Sequence, residues 1–169
     1  MAPGVDCEVL VRGPNIMRGY FGRPDETARV IVDGWLHTGD IGHVDADGYL
    51  TLVGRSKDMI IRGGENIYPK EIEDVLAGDP AVLEAAVIGV PDNKWGEIVV
   101  AYIQPRADRT VDPGALQELC ARKLSGYKRP TSFFVVDAIA KNAIGKSDKS
   151  SLRAAHTAAS GDQMRKETR

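Results

Sequence analysis

A chain of 169 residues with a net charge of -2, of which 43% are hydrophobic and 27% charged, has the balance of a globular protein and not of a disordered or fibrous one. Acids and bases are interleaved, so no broad positive field exists for a nucleic-acid backbone, and nucleic acid is not expected as a partner. Two cysteines, Cys7 and Cys120, without CxxC or Cys/His spacing, argue against a disulfide scaffold and a zinc site; no metal-ligating residue is assigned. No apolar run is long enough to span a bilayer and no leader-like segment opens the chain, which points to the cytoplasm.

The first expected strand covers 8–12. It has no partner before it, which raises the expectation of a chain that starts inside a larger fold. Two further strands, 41–44 and 49–53, are joined by Asp45-Ala46-Asp47-Gly48, a turn in which Asp bonds to nearby backbone and Gly tolerates positive φ. A calcium loop is excluded there, because Tyr49 and Leu50 stand where an oxygen ligand and a glycine are required.

From about residue 58 helices and strands alternate. A helix opens at Pro69, with Ile72, Val75 and Leu76 on one face. Residues 82–90 and 98–103 are continuous, β-branched apolar runs of the kind found in central strands. A second helix opens at Asp112-Pro113 and carries Leu116, Leu119, Cys120 and Leu124 on its buried side. A strand over 132–136 follows, then a short helix from near Ser147 or Asp148. The composition shifts at 54–58, giving expected parts of 1–56 (β-rich, the end of a larger domain), 57–153 (a small domain) and 154–169 (a flexible tail). The fold class is α+β: a small domain of three strands with flanking helices and a short two-stranded hairpin, preceded by a β-rich segment.

Single motifs are ambiguous. The stretch KNAIGKS (141–147) ends like a P-loop, but the pattern demands a glycine where Ala140 stands. Lys146 by itself then reads as a solvated loop lysine, or as an anion partner ahead of a helix N-terminus. Asp40 alone reads as a turn aspartate and Arg55 as half of a surface salt bridge. Lys57 alone reads as a linker lysine, and Gly63-Gly64 as a β-turn.

Their order removes much of the ambiguity. GWLHTGD (34–40), GRSKDMI (54–60), RGGENIYPKEIE (62–73), VIGVPDNKWGE (87–97) and NAIGK (142–146) with its trailing SLR (151–153) together resemble the acyl-adenylate-forming superfamily. The likeness is greatest to the AMP-forming fatty-acid and acyl-CoA ligases, over residues 9–153. The resemblance implies activation of a carboxylic acid by ATP and magnesium to an acyl-adenylate, then transfer of the acyl group to coenzyme A. It implies that Asp40 accepts from the ribose hydroxyls, that Arg55 adds donors near ribose and phosphate, and that Ser56, Lys57 and Asp58 form the hinge of a rotating small domain. Gly63 and Gly64 would admit the pantetheine arm. Lys146 would be the catalytic lysine, meeting the carboxylate and α-phosphate in the adenylating orientation only.

Two positions depart from the family pattern: Ile61 stands where aryl-acid and luminescent branches carry a lysine, so those branches are less favoured, and Ile139-Ala140 replaces Leu-Pro, which is expected to loosen the lysine loop. The phosphate loop, the adenine-packing aromatic, the magnesium-binding glutamate and the acyl pocket are assigned to a large N-terminal domain outside these residues, so the chain alone is expected to be inactive. Two other classes share the motifs, a module that loads a carrier protein and a standalone non-catalytic binding domain. A basic patch near Lys123, Lys128 and Arg129 would favour coenzyme A through its 3′-phosphate.

Overall fold

The computed structural model describes residues 3–167. The chain divides into two compact units, 1–57 and 58–169.

The first unit is a four-stranded sheet built on one long strand. Strands β1 (Cys7–Val11), β2 (Ile31–Val32), β3 (Trp35–Val44) and β4 (Leu50–Arg55) all pair through β3, each antiparallel to it. Strand β1 therefore finds its partner downstream, with Cys7 opposite Gly42 and Val11 opposite Leu36. Strand β3 begins six residues earlier than the apolar pattern indicates. Its first half (His37, Thr38, Gly39) is too polar to read as a strand, and backbone pairing with β1 holds it extended. Helix α1 (Pro24–Val30) has no expected counterpart; it buries no residue, so hydrophobic periodicity could not mark it. The β3–β4 turn is closed by Asp45, whose Oδ1 accepts the N–H groups of Asp47 and Tyr49 at 2.9 Å each.

The second unit is a five-stranded sheet in the order β6-β5-β8-β7, with β9 also on β8. Its strands are β5 (Ile60–Arg62), β6 (Glu65–Ile67), β7 (Val82–Asp92), β8 (Gly96–Pro105) and β9 (Ser132–Val135). Strands β7 and β8 form the long antiparallel ladder; β9 returns parallel to β8 after a crossover through helix α3 (Pro113–Lys123). The expected three strands and the hairpin are thus joined, through the ladder pair Arg62–Gly96 and the bond from the Gly63 N–H to the Trp95 carbonyl at 2.8 Å, with Ile60 and Ile67 buried in the shared core.

Both faces of this sheet are covered, and the side chains sort by parity as a pleated strand requires. Val87, Val99, Ala101 and Ile103 face one way, into a core completed by Ile72 and Leu76 of helix α2 (Pro69–Leu76) and by Leu116, Cys120 and Leu124. Ala86, Ile88, Val90, Val100 and Tyr102 face the other, against Ile139 and Leu152. Burial raises the Cys120 thiol pKa, against the opposing effect of the Arg129 charge, so Cys120 is the structural thiol its position suggests. The last helix, expected to be short, runs Lys149–Glu167 as α4 and takes in most of the segment assigned to a flexible tail; residues 168 and 169 lie outside the described residues. No helix among the described residues is long and apolar enough to cross a membrane.

Candidate functional site

Four groups of expected site residues are each shaped by their own local structure.

Asp40 and Arg55 sit directly opposite one another on β3 and β4, and Arg55 Nε donates to Asp40 Oδ1 at 2.6 Å. The approach to Asp40 is held by a relay that the sequence did not reveal. Glu8 on β1 accepts the backbone N–H of Gly39 at 3.0 Å through one oxygen and lies 2.9 Å from His37 Nδ1 through the other. Thr38 donates to the Val9 carbonyl at 2.7 Å and accepts the N–H of Asp40 at 3.0 Å. The hydrogen bond with His37, together with that from Gly39, holds the Glu8 carboxyl below its ordinary pKa despite partial desolvation. Gly39 has φ +70°, which a glycine adopts freely. Glu8, Thr38, Gly39, Arg55, Ser56 and Lys57 line an open cleft of about 330 Å³. No local signal announces Glu8, because its partners lie 29 and 31 residues away.

Ser56–Asp58 forms a single 3₁₀ turn where the two units divide. Lys57 is exposed, and Asp58 lies 3.7 Å from Arg153 of α4.

Gly63 and Gly64, with φ of +59° and +87°, are the two central residues of the β5–β6 hairpin, the turn in which both positions demand left-handed backbone. A Cβ on Gly63 would stand 2.9 Å from the Trp95 ring, whereas one on Gly64 would meet open space. Around this turn Arg62 and Lys94 lie 5.8 and 4.9 Å from the Trp95 ring centroid, and Arg62 donates to the Tyr127 carbonyl at 2.8 Å. The basic patch expected at Lys123, Lys128 and Arg129 takes a different form. Arg129 closes the end of α3 by donating to the Leu124 and Ala121 carbonyls at 3.0 and 3.1 Å, and Lys128 pairs with Glu71 at 2.7 Å.

Lys146 stands on a tight loop organised by Asn142. The Asn142 side-chain oxygen accepts the N–H groups of Ile144 and Lys146 at 3.1 and 3.0 Å, and the Asn142 N–H donates to the Lys146 carbonyl at 2.8 Å. Gly145 supplies the positive φ, +78°. The loop base is tied, contrary to the loosening expected from Ile139-Ala140: Ile139 is buried, and the Ala140 carbonyl accepts the Asp148 N–H at 2.8 Å. Asp148 then caps α4 by accepting from the backbone and hydroxyl groups of Ser150 and Ser151. Those bonds lower its pKa to about 2. Of its lysine neighbours along the chain, Lys141 pairs with Glu84 and Lys149 with Glu73 at 2.7 Å. Lys146 is exposed, and its ammonium has no partner among the described residues.

Residues 71–146 match the family described as AMP-binding enzyme C-terminal domain. The chain is 46% identical over 151 residues to an indoleacetate–CoA ligase of Aromatoleum aromaticum, covering 89% of this chain and 30% of that protein. It is 48% identical, over 89% of itself and 31% of the relative, to a feruloyl-CoA synthase of an Amycolatopsis species. Among solved structures it superposes with a TM-score of 0.83 and 42% identity on the o-succinylbenzoate CoA synthetase of Bacillus subtilis bound to its acyl-adenylate intermediate, covering 91% of this chain and 31% of that one. Residues 71–146 are an AMP-binding enzyme C-terminal domain. The resemblance read from the sequence is borne out for this portion, and the chain spans under a third of the length of these relatives. The AMP-binding enzyme C-terminal domain begins on α2 and ends at Lys146, so the lysine loop closes the matched region, while Asp40, Arg55, the 3₁₀ turn and the glycine hairpin precede it.

Proposed function

We propose that this chain is the C-terminal portion of an AMP-forming acid–CoA ligase, which joins a carboxylic acid to AMP and then to the coenzyme A thiol. The observation that carries the reading is the state of Lys146. Its backbone is fixed by Asn142, its neighbours Lys141 and Lys149 are neutralised by glutamates, and its own ammonium projects from the loop without a partner among the described residues. A charge held in that way suits the oxygens that gather negative charge as the carboxylate attacks the α-phosphate. Withdrawal of such a donor costs on the order of 10²–10³ in rate.

The remaining roles follow from chemistry. Asp40, with one carboxylate oxygen held by Arg55, is oriented to accept from a ribose. Ser56, Lys57 and Asp58 act as the hinge, since a short polar turn absorbs backbone rotation at small cost. The glycine hairpin brings backbone close to the pantetheine arm, and the cationic, aromatic surroundings of Arg62, Lys94 and Trp95 favour a phosphorylated nucleotide such as coenzyme A over a bulky carrier protein. Magnesium enters with ATP, held by the large N-terminal domain proposed to complete the enzyme.

The acid is proposed to be aromatic. Indoleacetate and ferulate name the acids of two relatives, and o-succinylbenzoate that of one solved structure, which favours an aromatic acid over the fatty acids suggested by the sequence motifs and runs against the expectation drawn from Ile61. Pyrophosphate release and acyl-CoA formation, measured on the full-length ligase with aryl-acetic, cinnamic and fatty acids, test the reading. Lys146→Ala is expected to lose adenylation by about 10² or more while retaining thioester formation from preformed acyl-adenylate. Equal loss of both steps overturns the assignment.

A further inference from the structure

The two ends of the lysine loop, residues 141 and 147, face each other as an isolated antiparallel bridge outside the sheet. One carboxylate reaches both. Glu84, on β7, takes the Lys141 ammonium on its two oxygens and accepts the Ser147 hydroxyl at 2.6 Å on one of them. Asn142 organises the loop from within, yet it cannot fix the loop against the sheet, since its bonds stay inside the 142–146 segment. Glu84 is the side chain that ties both ends of the loop to the long central ladder, 63 and 57 residues away in sequence.

From this geometry we infer that Glu84 is a positioning residue for Lys146: it clamps the two ends of the loop and so fixes where the ammonium at its tip can be delivered. The inference rests on the adenylating role proposed for Lys146. Glu84 does not touch the reacting atoms; it removes a degree of freedom from the residue that does. Catalysis is sensitive to such freedom, because displacement of a reacting group by about 1 Å costs up to about 10² in rate. The carboxyl is suited to permanent service. Burial pushes its pKa up, but the hydrogen bonds from Lys141 and Ser147 and the Lys141 charge outweigh that and hold it below the ordinary glutamate value. The clamp is thus fully charged at neutral pH.

Glu84→Gln keeps the size and removes the charge. In the 169-residue chain, amide exchange at Asn142, Lys146 and Asp148 is expected to quicken by about tenfold or more, while exchange in β8 stays unchanged and reports an intact core. In the full-length ligase the same variant is expected to lower kcat for pyrophosphate release by about 10- to 100-fold, with KM for ATP and the rate from preformed acyl-adenylate unchanged. Ser147→Ala, which removes one bond only, is expected to give a smaller change in the same direction; it serves where the glutamine variant is too unstable to read. Unchanged loop exchange overturns the clamp, and faster loop exchange with unaltered adenylation overturns the positioning role. Undiminished adenylation in Lys146→Ala would instead sink the functional reading on which the inference stands, a result told apart from the first because the exchange arm does not depend on activity.

Discussion

Asn142 and Lys146 bind one another twice: the side-chain oxygen of Asn142 accepts the Lys146 N–H at 3.0 Å, and the Lys146 carbonyl accepts the Asn142 N–H at 2.8 Å. The pair closes a five-residue turn that needs one left-handed residue, Gly145. Asp at position 142 preserves the acceptor, whereas Ala removes it and strands two amide donors on an exposed turn. Asn142→Asp is therefore expected to retain most adenylation activity, and Asn142→Ala to lose about tenfold, in step with a local destabilisation of about 1 kcal/mol. Pyrophosphate release by the two variants decides the matter.

The Asp40–Arg55 pair separates a structural from a functional role. Its side chains are 29% and 48% exposed, so as an ion pair it is worth no more than about 1 kcal/mol. Asp40→Asn is expected to leave the melting temperature nearly unchanged, yet to weaken AMP binding to the full-length enzyme by about tenfold or more, because an amide offers one acceptor where the carboxylate offers two. A large loss of stability with intact AMP affinity would return Asp40 to the status of a turn residue.

Acid should loosen the start of α4. The Asp148 pKa, depressed to about 2 from 3.8, means that the folded chain holds this carboxylate charged where the unfolded chain has begun to take up a proton. The stabilisation is present above the ordinary value and is lost as pH falls from about 4 through about 2. Amide exchange at Ser150 and Ser151 is expected to accelerate over that window, and Asp148→Ala to flatten the pH dependence. Glu84, also depressed, adds to the same acid-side loss below the ordinary glutamate range.

Gly64→Ala isolates the proposed coenzyme A surface. The added methyl meets nothing within 4 Å, but the backbone must hold φ +87°, so the expected cost is about 1 kcal/mol of hairpin stability. KM for coenzyme A should rise while pyrophosphate release is spared. Ile72→Ala is the contrasting control: this fully buried residue of α2 should cost about 2–5 kcal/mol in urea unfolding wherever the site lies.

Much of the small unit was legible because its signals are local. Pro69 opens α2, Asp112 caps α3 by accepting the Gly114 N–H at 2.8 Å, and the β-branched runs of β7 and β8 admit no exposed arrangement. What stayed hidden was long-range or polar. Glu8 and Glu84 act on partners far along the chain, and neither differs in sequence from a solvated acid. Arg129 looked like a ligand for phosphate and caps a helix, since composition cannot tell a charge facing outward from one folded back onto carbonyls. Asn142 did carry a local signal, an Asx residue two before a turn position, which motif matching alone passes over.

The join between hairpin and sheet is narrow in the ladder and firm in the core. Strand β8 has neighbours along both edges, while β5 meets it at one ladder pair, Arg62–Gly96, beside the bond from the Gly63 N–H to the Trp95 carbonyl at 2.8 Å. Ile60 and Ile67 nevertheless bury completely, in the core that β7 and β8 share with α2 and α3. The placement of the glycine turn therefore depends on side-chain packing more than on backbone pairing.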